Sequence, residues 1–250
     1  MIKAGKKLGR SARSILSVAT LSWLIFGATL TVPALAGTLK VNPVHINLPA
    51  NRQSASLKMT NGDVLPVSVR VVANGWTQVD GHDVYTATDN VIVSPPIFTI
   101  PAGNTQLVRI GLRNRGKGPA AFRIIFDEIP DGKPVDGRVQ VTLRLNLPLY
   151  VLAQGSGQAD VSWTAWRNPA GEMVVEGRNR GTLHYQVAML AAEQAGTRTL
   201  LSTEMGVVLP GSARQWKIGR QPQFAVAAPF MLKVKGPTGE TQSQVILERR

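Results

Sequence analysis

The sequence predicts an all-β protein made of two β-sandwich domains in tandem. Short segments rich in Val, Ile, Leu and Thr recur from about residue 38 to the end, and Gly, Asp, Asn and Pro punctuate them. No long stretch carries the 3.6-residue period of a helix, so strands at this spacing read as sandwiches. A polar, flexible stretch, Gln154-Gly155-Ser156-Gly157-Gln158, follows the longest strand signal and divides the pattern in two. The expected domains run from 38 to 153 and from 157 to 250.

Residues 1–36 precede the first domain and read as a secretory signal peptide. Lys3, Lys6, Lys7, Arg10 and Arg13 form a basic start, an apolar run of 16 residues spans Ile15 to Leu30, and Pro33-Ala34-Leu35-Ala36 offers small residues where signal peptidase reads. The apolar run is short for a span of about 20 residues and ends in a cleavage-like site, which favours removal over a retained anchor. No Cys follows it, which excludes a lipoprotein. No later hydrophobic segment is long enough to span a membrane, so the mature chain, starting at Gly37, is expected to be exported without membrane insertion. The full chain carries a formal charge of +13, and five of those cations lie in the leader, leaving +8 on 214 residues. That surplus suits acidic partners in general, but it forms no Lys/Arg block with interleaved aromatics, which argues against nucleic acid. Cys is absent, so burial rather than disulfides must hold an exported fold together, and 214 residues suffice for that.

The strands expected in the first domain are Ser54–Thr60, Val64–Val72, Val91–Ile97, Gln106–Leu112, Phe122–Asp127 and Val139–Val151. Asn61-Gly62-Asp63, Asp80-Gly81, Asp131-Gly132 and Asp136-Gly137 supply turns between them. In the second domain they are Asp160–Ala165, Glu172–Gly177, His184–Leu190, Thr199–Val208, Arg214–Lys217, Phe230–Val234 and Ser243–Leu247. The best helical candidate, Val187–Ala195, is short and suits a strand turning into a loop as well.

Catalytic signals are missing from this pattern. Gly111-Leu112-Arg113-Asn114-Arg115-Gly116-Lys117 has the glycine and lysine spacing of a phosphate-binding loop, but Gly118 stands where a Ser or Thr should ligate Mg²⁺. Pro119 and a strand follow where a helix should, so this is a basic hairpin loop. His45, His82 and His184 have no neighbouring Cys and no metal-site spacing, and no Gly-x-Ser-x-Gly elbow occurs. The sequence therefore calls for no cofactor, no metal and no enzymatic activity. The informative stretch is Val139-Gln140-Val141-Thr142-Leu143-Arg144-Leu145-Asn146-Leu147, in which five aliphatic residues alternate with four polar ones. On a strand they form one apolar strip backed by a polar face. Taken alone, the pattern favours an ordinary half-buried sandwich strand.

Several motifs in order resemble the PapD-like family of periplasmic pilus chaperones, in its archaic, spore-coat-U-type branch. They are Pro43-Val44-His45-Ile46-Asn47-Leu48-Pro49, Thr60-Asn61, Trp76 with Gln78, Val93-Ser94-Pro95-Pro96, and Pro101-Ala102-Gly103 leading to Val108-Arg109-Ile110. Phe122-Arg123-Ile124-Ile125-Phe126-Asp127-Glu128-Ile129-Pro130 resembles the family's Tyr-Arg-x-x-x-x-Glu-Ile-Pro signature, and Leu145–Val151 resembles its Ser-Leu-Pro-Val-Phe-Val pattern. In the second domain Arg178–His184 and Val208–Ser212 fall in the expected places. The resemblance implies immunoglobulin-like sandwiches and donor-strand complementation, in which the chaperone lends a strand to a pilus subunit that lacks one. Val139, Val141, Leu143, Leu145 and Leu147 are then the subunit-binding residues, each worth about 1.5–3 kcal/mol if fully buried. The resemblance further implies an outer-membrane usher as recipient, the periplasm of a Gram-negative bacterium as location, and self-capping as a homo-oligomer.

The family holds the subunit's C-terminal carboxylate with two basic residues, and here the sequence departs. His45 stands at the first position and Pro148 at the second, so Arg123 or Arg144 is expected to supply the missing cation. Pro119 occupies the place of a Glu that ties the family's two domains together, which puts that salt bridge in doubt and leaves Glu128 a structural role. Two other readings stay open. One is a two-domain surface-binding or adhesin module, against which the Glu-Ile-Pro segment argues. The other is an enzyme on a β scaffold, for which no cluster of carboxylates is visible.

Overall fold

The structure, a computed structural model, describes residues 39–130, 141–155 and 157–250; the leader and Val139 lie outside them. Ten strands make the first part: β1 Leu39–Asn42, β2 Ile46–Leu48, β3 Ser54–Asn61, β4 Val67–Val79, β5 His82–Ala87, β6 Val91–Ser94, β7 Ile97–Ile100, β8 Thr105–Leu112, β9 Ala120–Ile129 and β10 Arg144–Val151. They form two facing sheets, ordered β1-β3-β8-β6 and β2-β10-β9-β4-β5, with β7 also pairing β4. Alternate residues from both sheets, among them Leu57, Met59, Val69, Val108, Ile110, Ile124, Phe126 and Leu149, close one apolar core.

Nine strands make the second part: β11 Val161–Arg167, β12 Met173–Asn179, β13 Tyr185–Val187, β14 Met189–Gln194, β15 Thr197–Ser202, β16 Gly206–Val208, β17 Ala213–Gly219, β18 Pro229–Gly236 and β19 Gly239–Arg249. The main sheet is ordered β15-β14-β18-β19-β11-β12-β17, with β13 and β16 paired separately. β19 pairs antiparallel with β18 up to Ile246 and parallel with β11 over Leu247–Arg249, so one long strand serves both layers. Trp216, Phe224, Phe230, Leu232 and Val175 fill the second core. Val187–Ala195 is strand rather than helix: β13 and β14 occupy it.

Proline divides one segment that hydropathy reads as continuous, and marks a change of sheet at a second place. The expected strand Val91–Ile97 is broken at Pro95-Pro96, with β6 in one sheet and β7 in the other. Pro43 likewise separates β1, paired with β3, from β2, paired with β10. A residue without an N–H cannot continue a ladder, so the chain changes sheets there. The expected strand Thr199–Val208 is two strands, because Thr203-Glu204-Met205 carries the chain from β15 to β16.

Both sandwiches close with the same asparagine clamp. Fully buried Asn61 donates its amide to the carbonyls of Leu65 and Ile100 and accepts from the Asp63 N–H. Fully buried Asn179 donates to Leu183 and Val208 and accepts from the Gly181 N–H. Their own N–H groups donate to Asn104 and Ser212, four residues beyond Ile100 and Val208 respectively. A third, smaller apolar cluster (Trp76, Ala121 and Tyr150 from the first sandwich, Leu209 from the second) joins the two.

Candidate functional site

The apolar strip emerges from the first core along β10. Arg144–Val151 pairs antiparallel with Asp127–Ala120 of β9. Odd-numbered residues point into the sandwich, so Leu147 and Leu149 belong to the core and Leu145 packs on it. Relative exposure then climbs from 8% at Leu147 to 37% at Leu143 and 83% at Val141. The segment ahead of β10 is tethered on one side only. The Glu128 N–H donates to the Leu143 carbonyl, and the Leu143 N–H donates to the Glu128 carboxylate at 2.9 Å. On the opposite edge β2 pairs only with Leu149–Val151. Among the described residues the Arg144–Pro148 backbone has no partner strand on that side, which leaves free donors and acceptors beside an exposed apolar strip.

The open edge leads towards a cavity of about 410 Å³ between the sandwiches. Pro148 and Tyr150 of β10, Arg123 of β9 and Asp83 of β5 line it from one side; Met205, Val207 and Arg214 are among those lining it from the other. Arg123 lies across β9 from Pro148 in the ladder. Its guanidinium sits 3.8 Å from the Trp76 ring centre, a cation–π contact that positions it without neutralising it. The neighbouring carboxylate is fully engaged elsewhere. Asp83 accepts from Trp76 Nε1 at 2.9 Å, Gln78 Nε2 at 2.8 Å, Tyr85 Oη at 3.4 Å and, across the domain joint, Arg214 Nη1. Burial pushes the Asp83 carboxyl up, but the bonds from Gln78, Trp76 and Arg214 outweigh it and hold the group below its ordinary range. Burial also pushes the Tyr150 hydroxyl up to about 12, against the pull of Arg123, so it stays a neutral donor.

The sequence-predicted anchors are only partly brought together. Arg123 enters the cavity. His45 is exposed and just ahead of β2, where Ile46 partners Leu149. Arg144 is four residues from Pro148, about 13 Å along a strand, and binds Asp127 at 2.5 Å, with Arg70 also near that carboxylate at 3.8 Å. The structure therefore does not place Arg144 at the cavity. It also corrects the expected length of the free strip, because Leu147 is committed to the domain's own core. Pro119 does not leave the joint without a salt bridge: Asp83 and Arg214, 131 residues apart, supply one. Gln78 adds two bonds, to the Val207 carbonyl at 2.7 Å and from the Leu209 N–H at 3.0 Å. Asp83, Tyr150 and Arg214 were not legible as site residues, since nothing in sequence spacing relates positions that meet only through the domain joint. Among the described residues no group of three His, Asp or Glu side chains is placed to hold a metal.

Residues 38–154 match the family described as pili and flagellar-assembly chaperone, PapD N-terminal domain. The whole fold resembles a chain of the CsuC–CsuE chaperone–tip subunit pre-assembly complex from archaic chaperone-usher Csu pili of Acinetobacter baumannii, with a TM-score of 0.66 at 20% identity over 85% of this chain and 99% of that one. It also resembles a chain of the Salmonella enterica SafA pilin–SafB chaperone complex (0.58, 14%, covering 85% and 97%). A third likeness is to the Pseudomonas aeruginosa CupB2 chaperone (0.52, 14%, covering 82% and 98%). At these identities the likeness is one of fold. No curated protein sequence matches the chain.

Proposed function

We propose that this chain belongs to the PapD-like family of pilus-assembly chaperones, whose N-terminal domain its residues 38–154 match, and that it caps pilus subunits by donor-strand complementation. The observation that carries this reading is the open β10 edge beside an apolar strip that runs from the core into solvent. A subunit strand aligned on Arg144–Pro148 gains main-chain hydrogen bonds irrespective of its sequence, while Val141, Leu143 and Leu145, with Val139 ahead of them, fill its groove. The cleft then takes the end of that strand. Arg123, held by Trp76 and left without a carboxylate partner among the described residues, meets the terminal carboxylate, and the Tyr150 hydroxyl donates to it. No group in this arrangement suggests catalysis; binding and subunit folding supply the free energy. The reading includes removal of residues 1–36 during export, action in the periplasm as domains 38–153 and 157–250, and delivery of the subunit to an outer-membrane usher. Between subunits, a second copy of the chain covers the strip.

A tagged pull-down from the periplasm of the native host tests this reading, with Val141→Asp run beside the wild type. Small secreted proteins that co-purify with the wild type and vanish with the variant support donor-strand capping. Recovery of the same proteins with both forms sinks it.

A further inference from the structure

Among the described residues three buried side-chain atoms lack any hydrogen-bond partner: Arg123 Nε, Tyr150 Oη and Arg214 Nε. Buried polar groups are almost always satisfied, and three orphans in one molecule call for a common explanation. All three belong to side chains that line the same interdomain cavity. Two carry positive charge and the third is an O–H donor, so the set lacks an anion that accepts hydrogen bonds.

Arg214 comes from β17 of the second sandwich, and its position is built rather than incidental. Its guanidinium already binds Asp83 through Nη1 and reaches Glu204 through Nη2 at 3.3 Å. The Arg214 side chain is only 14% exposed, whereas that of Glu204 is 61% exposed, so the outer pair is solvent-screened. Gly206 makes the room: a Cβ there would lie 2.5 Å from Arg214 Nε and 2.8 Å from the Trp216 ring. Around the cavity Arg123 and Arg214 face one engaged carboxylate, Asp83, which leaves a positive balance for an incoming anion.

We propose that Arg214 is the second cation of the carboxylate site, so that each sandwich contributes one arm. The assignment rests on the reading that the cavity receives a strand's C-terminal carboxylate. With His45 outside the cavity and Pro148 carrying no charge, the second cation comes from across the joint. A bound carboxylate then ties Arg123 to Arg214 and links strand capture to the angle between the domains.

The test uses an acetylated nine-residue peptide of alternating Val and Thr, prepared with a free C-terminal carboxylate and as the C-terminal amide. Dissociation constants are read by fluorescence anisotropy. The wild type is expected to favour the carboxylate by at least about tenfold, as charge-assisted bonds in a partly dry cavity imply. Arg214→Met abolishes most of that preference, read as the ratio of carboxylate to amide dissociation constants within each variant, and Arg214→Lys restores part of it. Asp83→Asn, which loosens the joint but leaves the Arg214 charge in place, keeps the preference. If Arg123→Met loses the preference and Arg214→Met does not, the assignment of Arg214 is wrong and the anchor at Arg123 stands. Equal loss in Asp83→Asn and Arg214→Met also overturns it, because Arg214 then acts only through the joint. A wild type that binds neither peptide, or both alike, removes the carboxylate reading itself.

Discussion

Asn61 and Asn179 each spend one amide on bonds that a whole loop otherwise lacks. Each bridges two backbone carbonyls and fixes an N–H two residues on, at zero exposure. Replacing Asn61 by Ala strands two carbonyls and one N–H, and replacing Asn179 strands two carbonyls and the N–H groups of Gly181 and Asp160, so Asn61→Ala and Asn179→Ala should each cost about 2–4 kcal/mol. Urea unfolding midpoints, with exposed Asn47→Ala as control, give the measurement; losses no greater than the control's would refute the clamp. Thr60-Asn61 is visible in the sequence, but only geometry shows that Arg178-Asn179-Arg180 carries out the same task, since the residues around the two asparagines share no obvious pattern. His184 offers a second residue-level test. Its ring stacks on Tyr150 at 3.5 Å across the domain joint, and burial, with the nearby His45 charge, lowers its pKa from 6.5 to about 4. In falling pH the unfolded chain takes up this proton first, so stability is lost from about pH 6.5 down to about 4 and no further below. At pH 5 the loss from this group is about 2 kcal/mol. His184→Phe keeps the stack and should abolish that part of the difference between unfolding free energies at pH 7 and pH 5; an unchanged difference would reject it.

In the strand β10 the division between core and donor is a matter of position along one alternation. Val139 to Leu147 reads as a uniform strip in sequence, because period-2 hydropathy reports which face a residue takes and not how far the opposing sheet extends. The burial gradient from Leu147 to Val141 comes from that extent, and no local signal encodes it. The two ends should therefore respond differently. Leu147→Ala opens a cavity in the first core and should cost about 2–5 kcal/mol, whereas Val141→Asp should leave stability within about 0.5 kcal/mol of wild type. Thermal unfolding of the two variants side by side decides this, and equal destabilisation would place Val141 in a core. Glu128, which the sequence reading left as structural, holds the Leu143 N–H and fixes where the strip leaves the sheet. The amide of Leu143 should exchange hydrogen faster in Glu128→Ala while those of Leu147 and Leu149 do not change.

At the scale of the molecule the sequence shows two sandwiches and a break between them, but not the joint that makes them one unit. The joint consists of residues remote in sequence: Asp83 with Arg214, Gln78 with the Val207–Leu209 backbone, and the Gln215 N–H on the Gly81 carbonyl. Gly81 is a left-handed turn residue at φ +79°, a conformation that favours glycine, and a Cβ there would stand 2.4 Å from the Gln215 side chain and push it aside. The hairpin turn Asp80-Gly81 is legible as a turn, yet its second duty as a bearing surface is not. The Asp83–Arg214 pair dominates this joint because both side chains are largely shielded, at 17% and 14% exposure. Removing one member of such a pair leaves an uncompensated charge, which is far costlier than removing both. Asp83→Ala strands Arg214 against the joint and also frees the Trp76 and Gln78 donors. The two sandwiches keep separate cores, so each remains folded while their coupling fails. Calorimetry should accordingly show one cooperative transition for the wild type and two for Asp83→Ala, with the double variant Asp83→Ala/Arg214→Met recovering part of the coupling because it removes the stranded charge. A single transition in all three would mean that the cluster of Trp76, Ala121, Tyr150 and Leu209 suffices to hold the domains together, and that the ion pair serves the cavity alone.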